Sequence, residues 1–473
     1  MQTLTRVLML SRRELAVLVL LFVTSLPFVT VRLYSSDEVQ YFSYLRSLWF
    51  DHDVSFENEY RYFYDRNIAQ SGGFHETFLE RQTAAGRRIN YGTMGSAVLW
   101  APFYAVGDLT ARVMRAAGRD VAVDGFSKPY VAAVAYGSAV LGFAAILLSI
   151  AAARRIAGPA GAIAAGVAIW IGTPVLFYMY LAPPFSHACS AFAVALFVTV
   201  WLHVRREWRV GGAFALGLCG ALMAMVREQD IFFVAGPAVD FALTAARGRF
   251  GPGRGARGSG RMAAAAAAGC AAFAIGYLPQ LLAYNGLNGR PMPASDVQRK
   301  MVWYSPHGLQ VLASPEHGFL FWTPLAVLSL AGLIVLALRP GDRQVGGSLL
   351  LMVALQIYVS GAVKSWTVAG AFGQRRFVCL TILLVIGLAA LLGSLPQVPR
   401  RIAIGLAALT VWWNLALTAQ FSTHLMDRQR LELKKNAYHA FVTVPRMAPG
   451  LAYRYLTRRH TFYKTRPANG ADR

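Results

Sequence analysis

The stretch 14-ELAVLVLLFVTSLPFVTVRL-33 is long and apolar enough to cross a lipid bilayer as one helix, which takes about 20 residues. Directly after it comes 35-SSDEVQYFSYLRSLWFDHDVSFENEYRYFYD-65, a segment rich in acidic and aromatic side chains. The change in composition marks the point where the chain leaves the membrane. We therefore expect the first span to place the adjacent carboxylates of Asp37 and Glu38 at one membrane surface.

The composition assigns the chain to the polytopic helical membrane proteins. Of its 473 residues, 56% are hydrophobic and 15% are charged, and apolar runs of membrane length recur along it. The formal net charge of +23 comes mostly from Arg and Lys between those runs, where basic residues orient a membrane protein, so we expect no nucleic-acid partner. We expect a multi-pass protein of a bacterial inner membrane, in contact with membrane lipid.

The apolar runs predict an all-α bundle of about eleven transmembrane helices. They are expected at about residues 14–33, 129–152, 158–180, 185–204, 210–226, 230–246, 262–286, 318–338, 346–363, 377–395 and 402–421. This order puts most arginine-rich connections on the cytoplasmic side and a long first loop, residues 34–128, on the periplasmic side. We expect one transmembrane domain, residues 1–421, and a basic amphipathic tail, residues 422–473.

The long first loop is expected to lie at the membrane surface. Ser35 and Glu38 have the spacing of a capping box, and apolar residues recur after them at helical intervals, which predicts an amphipathic interfacial helix at 36–50. The segment 91–114 is long enough to span, but it contains Pro102, and counting it as a span spoils the charge asymmetry downstream. We therefore expect it on or partly in the outer surface.

Two basic segments need interpretation. The loop 247-RGRFGPGRGARGSGR-261 has the composition of a Gly/Arg nucleic-acid tract, but we interpret it as a topological anchor between spans. An odd number of spans leaves the basic tail outside, against the positive-inside rule. Either the tail is an outer amphipathic cap, which we favour, or one span is miscounted.

Unusual polar residues collect on the expected outer side. They are Asp37, Glu38, Tyr91, His187, Arg227, His317, Trp366, Arg375 and Arg376. Because they come from many separate helix ends, they predict a site on the outer face. The acidic pair is compatible with two roles, since acids stabilise the first turn of a helix and a carboxylate at the membrane surface can act as a general base.

Arginine gives the stronger cationic signal. Arg375 and Arg376 lie outside, against the positive-inside trend, and follow two glycines that let the backbone approach a ligand closely. Guanidinium groups suit phosphate, although anchoring to lipid headgroups explains the same pair. Arg227 is either part of a turn that neutralises its own charges or an anion ligand. His187 is either an ordinary interfacial residue or a donor near the site.

The outer aromatic residues also allow two interpretations. Trp303, Tyr304, Trp322 and Trp366 fit the aromatic belt of a membrane protein, and they also fit stacking against a sugar ring. Together with Trp366, we take Tyr91 and His317 as candidates for substrate contact. A lipid-linked phosphate satisfies all these features, because its tail fits among the helices, its phosphate meets the arginines and its activated group faces the carboxylate. The chain has no Gly-rich nucleotide-binding loop, which favours a donor other than a nucleotide.

These features resemble the integral-membrane glycosyltransferases of the C-type fold, the superfamily that includes the aminoarabinose lipid A transferases and the protein O-mannosyltransferases. The resemblance covers about residues 10–420, and the diagnostic part is the acidic pair directly after the first helix. The other matching stretches are 91-YGTMGSAVLWAPFY-104, 183-PPFSHA-188, 226-VREQD-230, 314-SPEHGFLFWTP-324 and 370-GAFGQRRF-377. The stretch 91–94 lacks the Lys-Pro-Pro character of the aminoarabinose transferases, and we expect no large soluble outer domain after the bundle.

The resemblance implies an inverting transfer of a sugar from a polyprenyl-phosphate donor to an acceptor hydroxyl on a glycan, lipid or protein. In that mechanism Asp37 is the catalytic base, and Glu38 caps the helix, orients Asp37 or helps to bind a divalent cation, Mg²⁺ or Mn²⁺, where one is used. Arg375 and Arg376, with Arg227 or His187, stabilise the phosphate as the glycosyl bond breaks.

Two other kinds of protein remain compatible with the sequence. A lipid or polysaccharide flippase also needs outer arginines and a lipid-sized cavity, but it should carry polar residues through the membrane midplane and on both faces. A non-catalytic accessory protein could have kept the fold without the activity. The one-sided clustering of polar residues favours the transferase.

Overall fold

The computed structural model describes residues 10–68, 73–247 and 255–462, and over these ranges the chain is helical and contains no strand. The α-helices are α1 (Arg12–Ser25), α2 (Ser36–Arg46), α3 (Glu57–Asp65), α4 (Gly95–Ala116), α5 (Lys128–Ala157), α6 (Ala162–Gly172), α7 (Pro174–Tyr180), α8 (His187–Val204), α9 (Val210–Val226), α10 (Ala235–Ala246), α11 (Gly255–Asn288), α12 (Ser295–Arg299), α13 (Gly308–Ala313), α14 (Phe319–Trp322), α15 (Leu325–Leu338), α16 (Arg343–Ala362), α17 (Thr381–Ser394), α18 (Gln397–Ser422), α19 (Leu433–Tyr438) and α20 (Val444–Thr457). Short 3₁₀ or π segments join several of them, namely Leu26–Phe28, Ser47–Asp51, His75–Glu80, Glu228–Val234, Arg375–Leu380, His439–Thr443 and Arg459–Phe462.

Within the described residues, six helices are long and apolar enough to cross a membrane, which makes the chain a helical membrane protein. They are Lys128–Ala157, His187–Val204, Gly260–Asn288, Arg343–Ala362, Arg375–Ser394 and Gln397–Ser422. Helices α6 and α7 form a seventh only if they are counted together across their bend of 66°. The structure therefore supports the predicted class but does not establish eleven spans.

The first predicted span, residues 14–33, is shorter in the structure. Helix α1 starts with a capping box between Ser11 and Glu14 and ends at Ser25 after 14 residues. Pro27 follows two residues after Ser25, and proline lacks the N–H that a continuing helix needs. At about 1.5 Å per residue α1 is about 21 Å long, less than the roughly 30 Å hydrocarbon core. The chain from Val29 to Tyr34 is not helical.

Two other predicted spans are also broken near prolines. The run 318–338 divides into α14 and α15, and Pro324 is the N-cap of α15. The run 230–246 begins with a 3₁₀ segment and becomes α-helical only at Ala235. Pro237 lies in the first turn of α10. Backbone N–H groups in a first turn have no acceptor within the helix, so proline costs no helical hydrogen bond there. Hydropathy alone identifies these apolar runs but does not detect the breaks.

Several arginine-rich helix ends lie next to one another. Arg154 at the end of α5 forms an ion pair with Glu14 at the start of α1. Arg205, directly after α8, donates to the carboxylate of Asp240 in α10 over 3.0 and 2.8 Å, and Gln344 in α16 donates to the carbonyl of Asp240 over 2.8 Å. These contacts group helix ends that the positive-inside rule predicts to lie on one side of the membrane. Residues 248–254 of the basic loop lie outside the described residues, and 255–261 form the first turns of α11.

The segment 91–114, expected on the outer surface, forms most of α4 and packs lengthwise on the first half of α5. Trp100 Nε1 donates to Ser138 Oγ over 2.8 Å, and the Tyr130 hydroxyl donates to Asp108 over 2.6 Å. Gly107 allows this approach, because a Cβ there would lie 2.8 Å from Ala133. The segment therefore packs against a helix of the bundle, which provides partners for Trp100 and Asp108, although it is not among the helices apolar enough to span.

The described part of the tail returns to the chain between α1 and Asp37. The Tyr455 hydroxyl donates to the carbonyl of Phe28 over 2.8 Å, and Arg459 donates to the carbonyl of Val29 over 2.9 Å. Before that, Trp412 in α18 donates to the carbonyl of Ala440 over 3.1 Å. The tail therefore packs on the segment that leads to the acidic pair, and residues 463–473 lie outside the described range.

A glycine contact in the bundle gives a first prediction. A Cβ on Gly332 of α15 would lie 1.7 Å from the carbonyl oxygen of Gly387 in α17. We expect Gly332→Ala to lower the melting temperature in detergent by several degrees, since overpacking a core costs about 1–3 kcal/mol. The control is Gly347→Ala, because Gly347 has nothing within 4 Å and alanine favours a helix. Equal melting temperatures for the two variants would contradict this packing.

Candidate functional site

A cavity of about 410 Å³ brings together residues from segments that are far apart in the sequence. Six of the nine site residues expected from the sequence line it, namely Asp37, Tyr91, His187, Arg227, Arg375 and Arg376. Its other walls include parts of α2, the 3₁₀ segment Glu228–Val234, the end of α16 and the segment 293–303 that follows α11. Glu38, His317 and Trp366 do not line the cavity.

Asp37 lies in the first turn of α2 and points its side chain into the cavity. Its Oδ2 forms an ion pair with Nη1 of Arg375 over 2.8 Å, and the two side chains remain 38% and 25% exposed. Asp37 is not needed for the helix cap, which its neighbours provide. The carboxylate is therefore open to a ligand and held at the cationic wall of the cavity.

Glu38 forms the predicted capping box. The Ser35 hydroxyl accepts from the Glu38 N–H over 3.3 Å, while Glu38 Oε2 accepts from the N–H groups of Ser35 and Tyr34 over 3.0 and 2.8 Å. Burial raises the pKa of Glu38 to about 8, although these N–H donors lower it. Glu38 is therefore mostly protonated at neutral pH and serves the helix terminus, which positions Asp37 one residue before it.

Helix α2 is more enclosed than an interfacial helix. The expected range 36–50 is helical, as α2 followed by a π turn, but most of α2 is buried against α3 and α4. Gln40 fixes it to the chain before α4, because its Oε1 accepts from the N–H of Tyr91 over 2.7 Å and its carbonyl accepts from Asn90 over 3.0 Å. This places Tyr91 on the cavity wall beside Asp37.

Arg375 and Arg376 directly follow a tight loop that contains two glycines. Gly370 and Gly373 have φ values of 77° and 61°, which glycine adopts without strain. Arg376 Nη1 donates to the carbonyl of Ser365 over 3.0 Å, and the Arg376 carbonyl accepts from Gln356 over 2.6 Å. Backbone and neutral side-chain contacts therefore hold Arg376 at the cavity, whereas Arg375 is held there by its ion pair with Asp37.

Arg227 and His187 form a second basic group on the cavity wall. Arg227 Nη1 lies 3.1 Å from His187 Nδ1 and 3.3 Å from the Ser186 hydroxyl. Because an arginine can only donate, Nδ1 of His187 must accept, so the ring is neutral and carries its proton on Nε2. Arg227 Nε is buried and has no hydrogen-bond partner among the described residues. The pair thus offers donors to an acceptor in the cavity.

The hydrogen bonds of the three arginines leave positive charge at the cavity. Arg375 pairs with Asp37, but the hydrogen-bond partners of Arg227 and Arg376 in the described chain are neutral groups on Ser186, His187 and Ser365. A cluster of incompletely neutralised guanidinium groups favours binding of an anion with several oxygen atoms.

His317 and Trp366 support the arginine loop from behind. His317 is buried, its Nε2 lies 2.9 Å from the carbonyl of Ala371, and its ring stacks on Trp322 at 4.8 Å. Burial lowers the pKa of His317 to about 4, so the ring is neutral. Gln374 donates to the carbonyls of His317 and Trp366 over 3.4 and 3.2 Å. The structure therefore places both residues behind the cavity wall and not in contact with its contents.

Tyr91 lines the cavity, but its hydroxyl has partners elsewhere. It donates to Asp296 over 3.2 Å, and Arg81 forms an ion pair with the same carboxylate. Lys300 lies 4.6 Å from the centre of the Tyr91 ring. Tyr91 therefore presents its ring to the cavity, while its hydroxyl fastens the segment 293–303 to the first loop.

Sequence reasoning did not select Glu228 or Lys300, which also line the cavity. In the sequence, Glu228 belongs to the turn that neutralises the charge of Arg227. The sequence contains one other signal for Glu228, which is a carboxylate close to the end of an apolar helix. An ionisable side chain near the membrane costs free energy unless it has a partner, so such a residue is a candidate for function. No pattern in the sequence indicated that Lys300 approaches the same space.

Asp37 and Glu38 do not fit a shared metal site. The Asp37 carboxylate faces the cavity, whereas Glu38 directs one oxygen to two backbone N–H groups and buries the other in the helix cap. Divalent cations bind several oxygen ligands directed at one point. Among the described residues, no group of three or more His, Cys, Asp or Glu side chains is arranged to hold a metal ion.

Comparison of the chain with protein-family models and with curated proteins found no match.

Proposed function

We propose that this protein is a membrane glycosyltransferase that moves a sugar from a polyprenyl-phosphate donor to an acceptor hydroxyl. The observation that carries the proposal is the cavity itself, in which a carboxylate and three guanidinium groups meet at the ends of apolar helices. A lipid phosphate has an apolar tail and a compact anionic group, and this combination matches the two kinds of surface.

The arginines and the carboxylate have complementary roles in this reaction. Arg375, Arg376 and Arg227 bind the donor phosphate and stabilise the negative charge that grows on its oxygen when the bond to the sugar breaks. His187 donates from Nε2 to the same group. Asp37 accepts the proton of the acceptor hydroxyl as its oxygen bonds to the anomeric carbon. A single displacement with one carboxylate base inverts the anomeric configuration.

The apolar part of the cavity suits the first isoprene units of the donor. Phe232, Met301, Val359 and Val363 line it, and the last two belong to the end of α16 or follow it directly. The donor phosphate would thus lie close to the membrane surface. We place this surface on the periplasmic side of a bacterial inner membrane, and the acceptor is a glycan, a lipid or a protein.

The proposal is tested with the purified protein in liposomes that contain decaprenyl-phosphate sugars and membrane extract as a source of acceptors. We expect decaprenyl phosphate to be released in step with the appearance of a new glycoside. Movement of the lipid between leaflets without breakage of the sugar bond would indicate a flippase instead. If neither sugar transfer nor lipid movement occurs with a panel of hexose and pentose donors, that result contradicts the proposal.

A further inference from the structure

Glu228 is a second carboxylate in the cavity and has no role in the mechanism above. It follows Arg227, whose backbone is extended with φ −151° and ψ 118°. Neighbouring side chains of an extended chain point in opposite directions, so Arg227 reaches His187 while Glu228 turns toward α11. There Glu228 Oε1 accepts from the Tyr284 hydroxyl over 2.5 Å. The carboxylate is held by one oxygen and remains partly exposed to the cavity.

An aromatic surface lines the same cavity. Trp303 is 42% exposed and lies 5.9 Å from Phe232 and 6.0 Å from Tyr358, measured between ring centres. The Tyr358 hydroxyl donates to the carbonyl of Trp303 over 2.7 Å and fixes its position. An exposed indole that is held in place gives a flat apolar face, with polar groups around it. This combination suits the C–H face of a sugar ring.

The charges of the cavity identify the kind of group that Glu228 binds. Among the described residues that line it, Arg227, Lys300, Arg375 and Arg376 are cationic, whereas Asp37 and Glu228 are acidic. A protonated amine would add to this excess of positive charge. A neutral hydroxyl avoids that repulsion and can donate a hydrogen bond to the carboxylate of Glu228.

Building on the proposed function, we infer that Glu228, positioned by Tyr284, binds hydroxyl groups of the donor's sugar while Trp303 supports its ring. The sugar is then a neutral hexose or pentose and not an amino sugar. A site that hydrogen-bonds a sugar hydroxyl discriminates strongly against ligands that lack it, because the buried polar group then loses its partner. Glu228 therefore selects the sugar, whereas the arginines bind the phosphate.

The test compares two ligands on the full-length protein in nanodiscs. One is decaprenyl phosphate, and the other is the tightest binder from a panel of decaprenyl-phosphate mannose, glucose, galactose, arabinose and aminoarabinose. We expect a neutral sugar to bind the wild type about tenfold or more tightly than decaprenyl phosphate. We expect Glu228→Gln to remove most of this difference and to leave the affinity for decaprenyl phosphate unchanged. Tyr284→Phe should reduce the difference by less.

The control is Glu316→Gln, since Glu316 is exposed and does not line the cavity. The inference is overturned if Glu228→Gln keeps the full difference, if it weakens both ligands equally, or if aminoarabinose is the preferred sugar. Failure of the wild type to bind decaprenyl phosphate would instead overturn the proposed function. The two proposals therefore fail in distinguishable ways.

Discussion

Replacement of Asp37 by Asn is expected to slow sugar transfer by about 100- to 10,000-fold, the range of a general base. Asparagine has nearly the same shape and its carbonyl oxygen can still accept from Arg375, which now lies 2.8 Å from the carboxylate. It cannot accept the proton of the acceptor hydroxyl at neutral pH. We therefore expect the loss in kcat, with donor affinity within a few-fold of the wild type. The measurement is the initial rate of decaprenyl phosphate release in liposomes.

Glu38→Gln separates the two members of the acidic pair. Its carboxyl group is buried in the helix cap, and burial raises its pKa to about 8, so an amide resembles the protonated form present at neutral pH. We expect this variant to retain most of the transfer rate. The matched control for charge is Asp65→Asn, since Asp65 is exposed in the same loop. If Asp37→Asn and Asp65→Asn transfer sugar at equal rates, Asp37 is not the base.

The second large effect is expected from the double substitution Arg375→Ala and Arg376→Ala. Each charged hydrogen bond contributes about 1.5–3 kcal/mol, so loss of both guanidinium groups should weaken donor binding by at least about 100-fold. The ion pair with Asp37 is also lost, which leaves the carboxylate beside the donor phosphate without a neutralising partner. The measurement is the affinity for decaprenyl phosphate in nanodiscs.

The control is a second double variant that removes two positive charges at a site away from the cavity. Arg115 in the last turn of α4 and Arg119 just after the helix are exposed and do not line the cavity, so Arg115→Ala with Arg119→Ala is expected to leave donor affinity unchanged. If Arg375 and Arg376 only anchor the protein to lipid headgroups, the two double variants should behave alike. The pair of lysine substitutions at 375 and 376 should recover part of the affinity, because lysine keeps the charge but not the planar fork.

Local features of the fold were predictable from the sequence. The capping box of Ser35 and Glu38 depends on an interval of three residues, and the structure contains it. Apolar runs located the six helices that are long enough to span, within a few residues at most ends. The same runs gave too many continuous spans, since hydropathy averages over a window and does not weigh one proline, such as Pro27 or Pro324.

The assembly of the site required the tertiary structure. Glycines and unusual outer charges pointed to Arg375 and Arg376, but no pattern in the chain indicated that Arg375 pairs with Asp37. His317 carried the same sequence signals as His187, yet the first lies behind the arginine loop and the second lines the cavity. A polar side chain at the end of an apolar helix needs a hydrogen-bond partner, but the sequence does not indicate which residue that partner is. The packing of the helices determines it.

Hydropathy, local spacing and charge are enough to predict a helical membrane protein, the helix cap that presents Asp37 and a group of unusual polar residues at helix ends. The three-dimensional packing shows which of those residues share a cavity, that Glu228 and Lys300 join them, and that Glu38, His317 and Trp366 do not. Caps and spans depend on neighbouring residues, whereas contacts between distant segments depend on how helices pack and where they break.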